Sequence, residues 1–356
     1  MGIDVDHKRS TRMKPGLREV ACYVANGASW VYLLILFTWL AAYLAAGDRF
    51  GYLAALNLLA VYLFSPLALV LLAVLSCRAR SLGIGFLAGL AAFLWLWGGL
   101  FLPRPGPAQA GGRPTLTVMT YNVLAWHTQT GPVLETIRHA DPDVVFIQEL
   151  NHTLSEVLQA ELAAEYPYQI LEPLDRPSGI GTISKYPIQP TGERPPLRWI
   201  GGPIIATMDW NGRAVTLVNF HMLSTTGLHS QAGLERDFRA REEQARFLVD
   251  LTRRSGPAIL GGDANSAPLN AATKILTADL QDAWRNAGFG LGHTFPGSTI
   301  PGSDRPRLGP VYVPAWLARI DYIFHTDDWE TVTARLARFD GVSDHRGVVA
   351  VLRLQD

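Results

Sequence analysis

Cysteine is almost missing from this chain: its 356 residues hold only Cys22 and Cys77, both in the first quarter. Everything from residue 115 onward must therefore fold without a disulfide, whatever its compartment, and has no thiolate to offer a zinc ion. Charge is missing from three long stretches. Residues 29–46, 51–76 and 82–102 contain no Asp, Glu, Lys or Arg, and each reaches the length of about 18 apolar residues that a membrane-spanning helix needs. Three long runs in succession argue against a cleaved signal peptide, which has one short apolar core and a small-residue cleavage site. No internal repeat is apparent. Asn57 and Pro66 interrupt the second run, where a neighbouring helix can satisfy the backbone group that a proline frees, so both are read as packing residues rather than a transport site.

Basic residues are unevenly placed around these runs. Lys8, Arg9, Arg12, Lys14 and Arg18 precede the first and Arg78 and Arg80 separate the second from the third, against Arg49, Arg104 and Arg113 on the other side. Seven against three predicts a cytoplasmic segment at 1–28, three transmembrane helices within 29–103, and a C-terminal part outside the cytoplasm, in an integral protein of the cell membrane. A Pro/Gly/Ala-rich linker at 104–114 then marks a domain boundary. The net charge of zero conceals two halves: 115–356 carries 21 Lys and Arg against 27 Asp and Glu, a formal −6, and the N-terminal part carries +6. An acidic domain is a poor polyanion binder unless metal ions offset it.

The domain at 115–356 reads as mixed α/β. Strands are expected at 116–121, 143–148, 179–184, 204–210, 214–220, 257–262, 319–324 and 348–354, all rich in β-branched and apolar residues. Helices are expected at 131–140, 153–165, 229–254 and 269–279. The second should open on a capping box, Thr153-Leu154-Ser155-Glu156. The third carries Glu235/Arg239, Asp237/Arg241 and Glu242/Arg246 at i,i+4 and reads as a solvated face.

Several of these strands end in, or hold, a residue able to bind metal or phosphate: Asn122, Glu149, His221, Asp263 with Asn265, Asp321, and the Asp344-His345 pair inside GVSDHRGV. Each alone has an innocent reading as a turn residue or a satisfied core side chain. Gathered at strand ends, they would meet at one rim of a sheet, and all of them being structural is a poor account.

The ordered set Tyr121-Asn122, Gln148-Glu149, Asn219-Phe220-His221, Gly262-Asp263-Ala264-Asn265, Arg319-Ile320-Asp321-Tyr322 and Ser343-Asp344-His345, with ISKYPI at 183–188 and GHTFPG at 292–297, resembles the endonuclease/exonuclease/phosphatase (deoxyribonuclease I-like) superfamily. The resemblance covers 115–356. It implies a four-layered α/β/β/α sandwich and a hydrolase acting on phosphoric esters. It implies Asn122, Glu149 and Asp344 as ligands of Mg²⁺, with Mn²⁺ as the alternative. It further implies Asp263 as the group that orients or deprotonates water, Asn265 and His221 as donors to phosphoryl oxygens, and His345 as a cation paired with Asp321. Hard oxygen donors and the lack of a clustered His pair suit such an ion better than zinc.

Substrate is less legible, because one fold serves many substrates. The expected substrate is a phosphodiester, a lipid head group at the outer membrane surface or nucleic acid, with the lipid bilayer as partner through three spans and no protein partner inferable. An extracytoplasmic nuclease is the alternative. An inactive binding module is disfavoured because all eight polar residues are present. Arg305, Arg307 and Trp316, in a long Pro/Gly-rich loop, are candidates for contacting substrate, or simply a mobile surface loop.

Overall fold

The computed structural model describes residues 16–102, 114–225, 230–297, 307–308 and 311–355. Lys8, Arg9, Arg12, Lys14, the first residue of the helix expected at 229–254, almost all of the linker and Arg305 lie outside the described residues. The chain divides into two compact units, Met1–Ala41 with Val61–Leu96, and Ala42–Ala60 with Trp97–Asp356.

Three helical stretches are long and apolar enough to cross a membrane: Leu17–Ala46, Ala60–Cys77 and Arg80–Phe101. They are built from α1 (Leu17–Ala46), α3 (Leu67–Cys77) and α4 (Arg80–Trp97), with α2 (Gly51–Leu58) set apart between the first two. In the first unit a side chain on Gly89 would meet Leu67 at 2.8 Å, so small residues let apolar helices approach closely. Pro66 ends the 3₁₀ turn at Ala60–Phe64, and the carbonyls it strands find other donors, Tyr62 from Ser65 Oγ and Leu63 from Tyr32 Oη of α1, both at 2.8 Å. Cys22 and Cys77 form a disulfide at the end of the bundle that carries Arg18, Arg78 and Arg80. Basic residues assign that end to the cytoplasm, whereas disulfides persist in oxidising compartments, so the two indicators oppose one another.

The second apolar run is corrected by the structure. The candidate span begins only at Ala60; the first third of the run forms the separate helix α2, which buries Gly51, Ala54 and Asn57, with Ala54 packed on Leu234 and Phe238. Gly51 is required there, since a Cβ would lie 2.5 Å from the Gln231 carbonyl. Asn57 donates to Asp48 Oδ1 at 2.9 Å and to the Gly47 carbonyl at 3.1 Å.

The rest of the second unit holds β1 (Thr115–Asn122), α5 (Gly131–Ala140), β2 (Val144–Gln148), α6 (His152–Glu161), β3 (Tyr168–Glu172), β4 (Ile180–Ser184), β5 (Ile188–Pro190), β6 (Gly201–Trp210) and β7 (Arg213–His221). There follow α7 (Gln231–Arg253), β8 (Ala258–Asp263), α8 (Ala271–Asp279), β9 (Gln281–Asp282), α9 (Ala283–Ala287), β10 (Arg307–Leu308), β11 (Val311–Tyr312), β12 (Asp321–His325), β13 (Trp329–Leu336) and β14 (Val348–Leu354). Two six-stranded sheets form, ordered β13-β14-β1-β2-β4-β3 and β5-β6-β7-β8-β12-β9. Alternation along the strands gives each sheet two apolar faces. Met119, Tyr121, Val145 and Ile147 pack outward against Val133 and Ile137 of α5 and Leu154 and Leu158 of α6. Val218, Phe220 and Leu260 pack against Leu248 of α7 and Leu276 of α8. The inner faces meet where Phe146 fills the place a side chain on Gly261 would take, 2.1 Å from it. Helices, sheet, sheet and helices make the four-layered sandwich.

Two local expectations fail. The cap of α6 is Asn151, whose side chain accepts from Leu154 N, because the helix begins one residue before Thr153. Arg241 on α7 is not solvated: it is 1% exposed, its Nη1 donating to the Leu223 carbonyl and Thr225 Oγ1 at 3.0 Å. Glu242–Arg246 does form, at 2.8 Å.

Candidate active site

Strand register brings the site together. The two parallel pairs, β1–β2 and β7–β8, place Asn122 opposite Gln148 and His221 opposite Asp263, and the antiparallel β12 places Asp321 opposite Asp263. Glu149 follows β2 in the left-handed region, φ 61°, and Asn265 follows β8 at φ 47°. Non-glycine residues pay for such backbone, and it gathers at sites where a side chain must be aimed.

The two sheets are stitched directly beneath this rim. Gln148 Nε2 donates to Asn219 Oδ1 at 2.7 Å, and Asn219 Nδ2 donates to the carbonyls of Gly181 at 2.6 Å and Ile147 at 3.1 Å. All these groups are buried, so each bond is compulsory. Above them Asn122 Nδ2 reaches Glu149 Oε1 at 3.1 Å and Asp263 Oδ2 at 3.2 Å, while Glu149 Oε2 accepts from Ala125 N.

GVSDHRGV forms the opposing wall. Ser343 Oγ donates to the Asn122 carbonyl at 2.7 Å and accepts from His345 N at 3.0 Å. His345 Nδ1 meets Asp321 Oδ2 at 2.8 Å, and its Nε2 lies 3.8 Å from both Asp263 Oδ2 and Asp344 Oδ1. GHTFPG supports this turn from behind: Arg346 N donates to the Thr294 carbonyl, Phe295 lies 4.9 Å from the His345 ring, and Gly297 N donates to the Asp344 carbonyl. Trp316, expected either to contact substrate or to lie in a mobile loop, is instead covered by the Arg346 guanidinium at 3.6 Å and set against Phe339.

Burial and mutual charge set the protonation. Burial, then the charge of Asp321, pushes Asp263 up to about 8. Burial opposes charge on His345, but Asp321 and Asp344 outweigh it and hold the imidazole well above its ordinary value. Burial and then the His345 charge push His221 down to about 3, so it is a neutral imidazole. Its Nδ1 faces the Pro177 carbonyl without a hydrogen bond, and its Nε2 lies 3.5 Å from Asp263 Oδ2. Burial and then Asp344 raise Glu149. Asp321 Oδ1 is buried with no hydrogen-bond partner among the described residues.

All eight residues singled out in the sequence fall within this rim or its walls. Asn265 bonds Asp263 Oδ1 through its backbone N–H and the Met222 carbonyl through Nδ2. Sequence reading missed the supports, Gln148 and Asn219, although both sit inside quoted motifs; a buried amide in a strand was the available signal. It also missed the buried Arg319–Asp282 pair at 2.7 Å, which anchors the approach to Asp321. Asp263, Asp321 and His345 offer ligand atoms within 4.8 Å of one another, so this trio could hold an ion in addition to the expected set Asn122, Glu149 and Asp344.

A two-sheet sandwich with paired carboxylates and a carboxylate-bound histidine at one rim defines a phosphoesterase architecture. The model of the endonuclease/exonuclease/phosphatase family matches residues 119–345, and the chain belongs to that family. No curated protein matches the sequence. Among solved structures, the endonuclease/exonuclease/phosphatase from Bacteroides vulgatus is 19% identical with a TM-score of 0.52, over 68% of this chain and 100% of that one. D. rerio TDP2 complexed with single-strand DNA product is 19% identical with a TM-score of 0.52, over 67% and 99%.

Proposed function

We propose that this chain is a membrane-anchored, divalent-metal-dependent phosphodiesterase that hydrolyses lipid head groups at the outer membrane surface. The observation that carries the reading is the make-up of the second unit, which joins the sandwich with Ala42–Ala60 and Trp97–Leu102, the segments bordering the spans. The linker of about a dozen residues, at ~3.3 Å each when extended, keeps head groups always in reach. A domain of formal charge −6 has no general attraction for a nucleic-acid backbone.

The donors fit a hard cation. The atoms a hard cation would take are the carboxylate oxygens of Glu149 and Asp344 and the amide oxygen of Asn122, and Glu149 and Asp344 oppose each other's charge, a repulsion that Mg²⁺, or Mn²⁺ in its place, would relieve. Such an ion, when bound, would neutralise charge growing on the phosphoryl oxygens. The remaining chemistry belongs to the chain. Asp263, with its affinity for a proton near neutrality, takes one from the attacking water. Neutral His221 and the Asn265 amide donate hydrogen bonds to phosphoryl oxygens, and protonated His345, held by Asp321, sets a positive charge beside phosphorus.

The test is a panel of phosphatidylcholine, sphingomyelin, phosphatidylinositol and single- and double-stranded DNA, given to the full-length protein in vesicles with Mg²⁺. Lipid hydrolysis that disappears in Asp263→Ala supports the reading. DNA cleavage far faster than that of every lipid, and lost in the same variant, overturns it in favour of a nuclease, the reading that the fold shared with D. rerio TDP2 in its DNA complex would favour.

We also propose that the sandwich lies outside the cytoplasm, on the charge count around the spans. Protease added to intact cells should remove a C-terminal tag. Protection of the tag until the inner membrane is breached would reverse the orientation and would leave Cys22 and Cys77 on the oxidising side.

A further inference from the structure

A cavity of about 410 Å³ opens beside the site, lined by Trp126, Arg176, Ser178, Arg198, Trp199 and Leu223 among others. It adjoins the catalytic rim along four segments. Trp126 follows Ala125, whose N–H holds Glu149. Ile200, also in the lining, donates its N–H to the His221 carbonyl at 3.3 Å, and Leu223 stands two residues beyond His221. Pro177, whose carbonyl faces His221 Nδ1, completes the border.

The lining contains two arginines and no carboxylate, in a domain of net negative charge. Several guanidinium groups of this unit are matched, Arg194 to Glu172, Arg254 to Glu193, Arg319 to Asp282 and Arg353 to Glu330. Neither Arg176 nor Arg198 has a side-chain hydrogen bond or ion pair with any described residue, as is also true of Arg239 and Arg285, but these two share one concavity. Two like charges on one concavity repel until an anion joins them, and the planar fork of arginine suits a carboxylate or a phosphate, of which a phosphate is what a phosphoesterase's substrate supplies. Trp199 is fixed edge-on to Phe247 and forms a held wall of the cavity. Trp126 is 61% exposed and offers a flat apolar face against which a ring can lie.

We infer that this cavity binds a second phosphate on the substrate's head group, a phosphomonoester carried by the same ring or polyol whose diester is cut at the rim. Arg176 and Arg198 grip that phosphate, and Trp126 covers the ring between the two phosphates. The inference rests on the lipid-directed reading above and narrows it: the preferred lipid carries at least two phosphates.

Two measurements on the full-length protein separate the cavity from the wider reading. In phosphatidylcholine vesicles with Mg²⁺, phosphatidylinositol 4-phosphate should be cleaved with a lower KM than phosphatidylinositol. Arg176→Ala and Arg198→Ala should each erase ~10- to 100-fold of that preference, the range expected for losing a charge-assisted hydrogen bond. In metal-free protein, inorganic phosphate should change tryptophan fluorescence, and the Arg176→Ala/Arg198→Ala double variant should lose the response. Equal KM values for the two lipids, or a preference that survives the double variant, overturn the cavity and leave the lipid-directed reading standing. Cleavage of DNA alone overturns both, and arginine-dependent DNA cleavage would assign the grip to a neighbouring backbone phosphate instead.

Discussion

Two buried carboxylates in the same unit are treated in opposite ways. Asp48, 6% exposed, has both oxygens occupied: Asn57 Nδ2 donates to Oδ1 at 2.9 Å, Asn270 Nδ2 to both oxygens at 3.1–3.2 Å, and Ala271 N to Oδ2 at 2.6 Å. Asp321, completely buried, has one oxygen on His345 and the other on none of the described residues. Burial costs both of them hydration. Asp48 regains hydrogen bonds on both oxygens, as a structural carboxylate needs, while the bare oxygen of Asp321 suits the role proposed above, of charging its neighbour. The difference separates a brace from a working group by local bonding alone.

Breaking that contrast should give unequal results. Asp321→Asn removes the charge that holds the proton on His345, and turnover in the lipid assay should fall ~10²- to 10⁴-fold while the melting temperature moves little. If the variant instead unfolds and its folded remainder keeps full specific activity, Asp321 is a brace as well. Glu149→Gln replaces a hard anionic ligand with a weaker amide oxygen. Activity at limiting Mg²⁺ should drop at least tenfold and be partly regained at high Mg²⁺, and a titration unchanged from the parent would remove Glu149 from the metal set. Asp48→Ala leaves the Asn270 amide and the Ala271 N–H without their acceptor, which should cost ~1–3 kcal/mol in denaturant unfolding of the full chain. The smallest effect concerns pH. Burial raises Asp48 above its ordinary value, so the folded state holds that proton more tightly than the unfolded chain, and stability declines as pH rises from 3.8 through the raised folded value. Asp48→Asn lacks this slope, so its melting temperature relative to the parent should improve across that window; a constant offset would show that Asp48 does not titrate there.

Much of this site was visible in the linear sequence because parallel strands end where they do. Apolar runs too long to expose, each closed by one polar residue, forced Asn122, Glu149, His221 and Asp263 to a common rim. Long-range support was invisible for the opposite reason. Gln148 and Asn219 lie 71 residues apart, and nothing local says that two amides will face each other across packed sheets. Arg241 was misjudged because an i,i+4 acid on a helix is equally compatible with exposure and with burial under a loop. β13 was overlooked because its outer positions alternate with Glu330, Thr333 and Arg335 and carry a bulge between Thr331 and Thr333, blurring the period of two. Asn57 and Asp48 escaped because an apolar run of sufficient length conceals the point where a chain leaves the membrane.

The bracing of Asp48 also sets an order of events in time. Its partners Asn270 and Ala271 are 222 and 223 residues downstream, and they follow immediately on the turn that carries Asp263 and Asn265. At a synthesis rate of ~5–20 residues per second, Asp48 waits on the order of 10 to 45 s, hydrated and ionised, before its acceptor positions are filled. The spans are complete by residue 101, so anchoring precedes this closure by more than a hundred residues of synthesis. The turn holding Asp263 and Asn265 therefore takes its final support late, from a residue synthesised more than two hundred positions earlier.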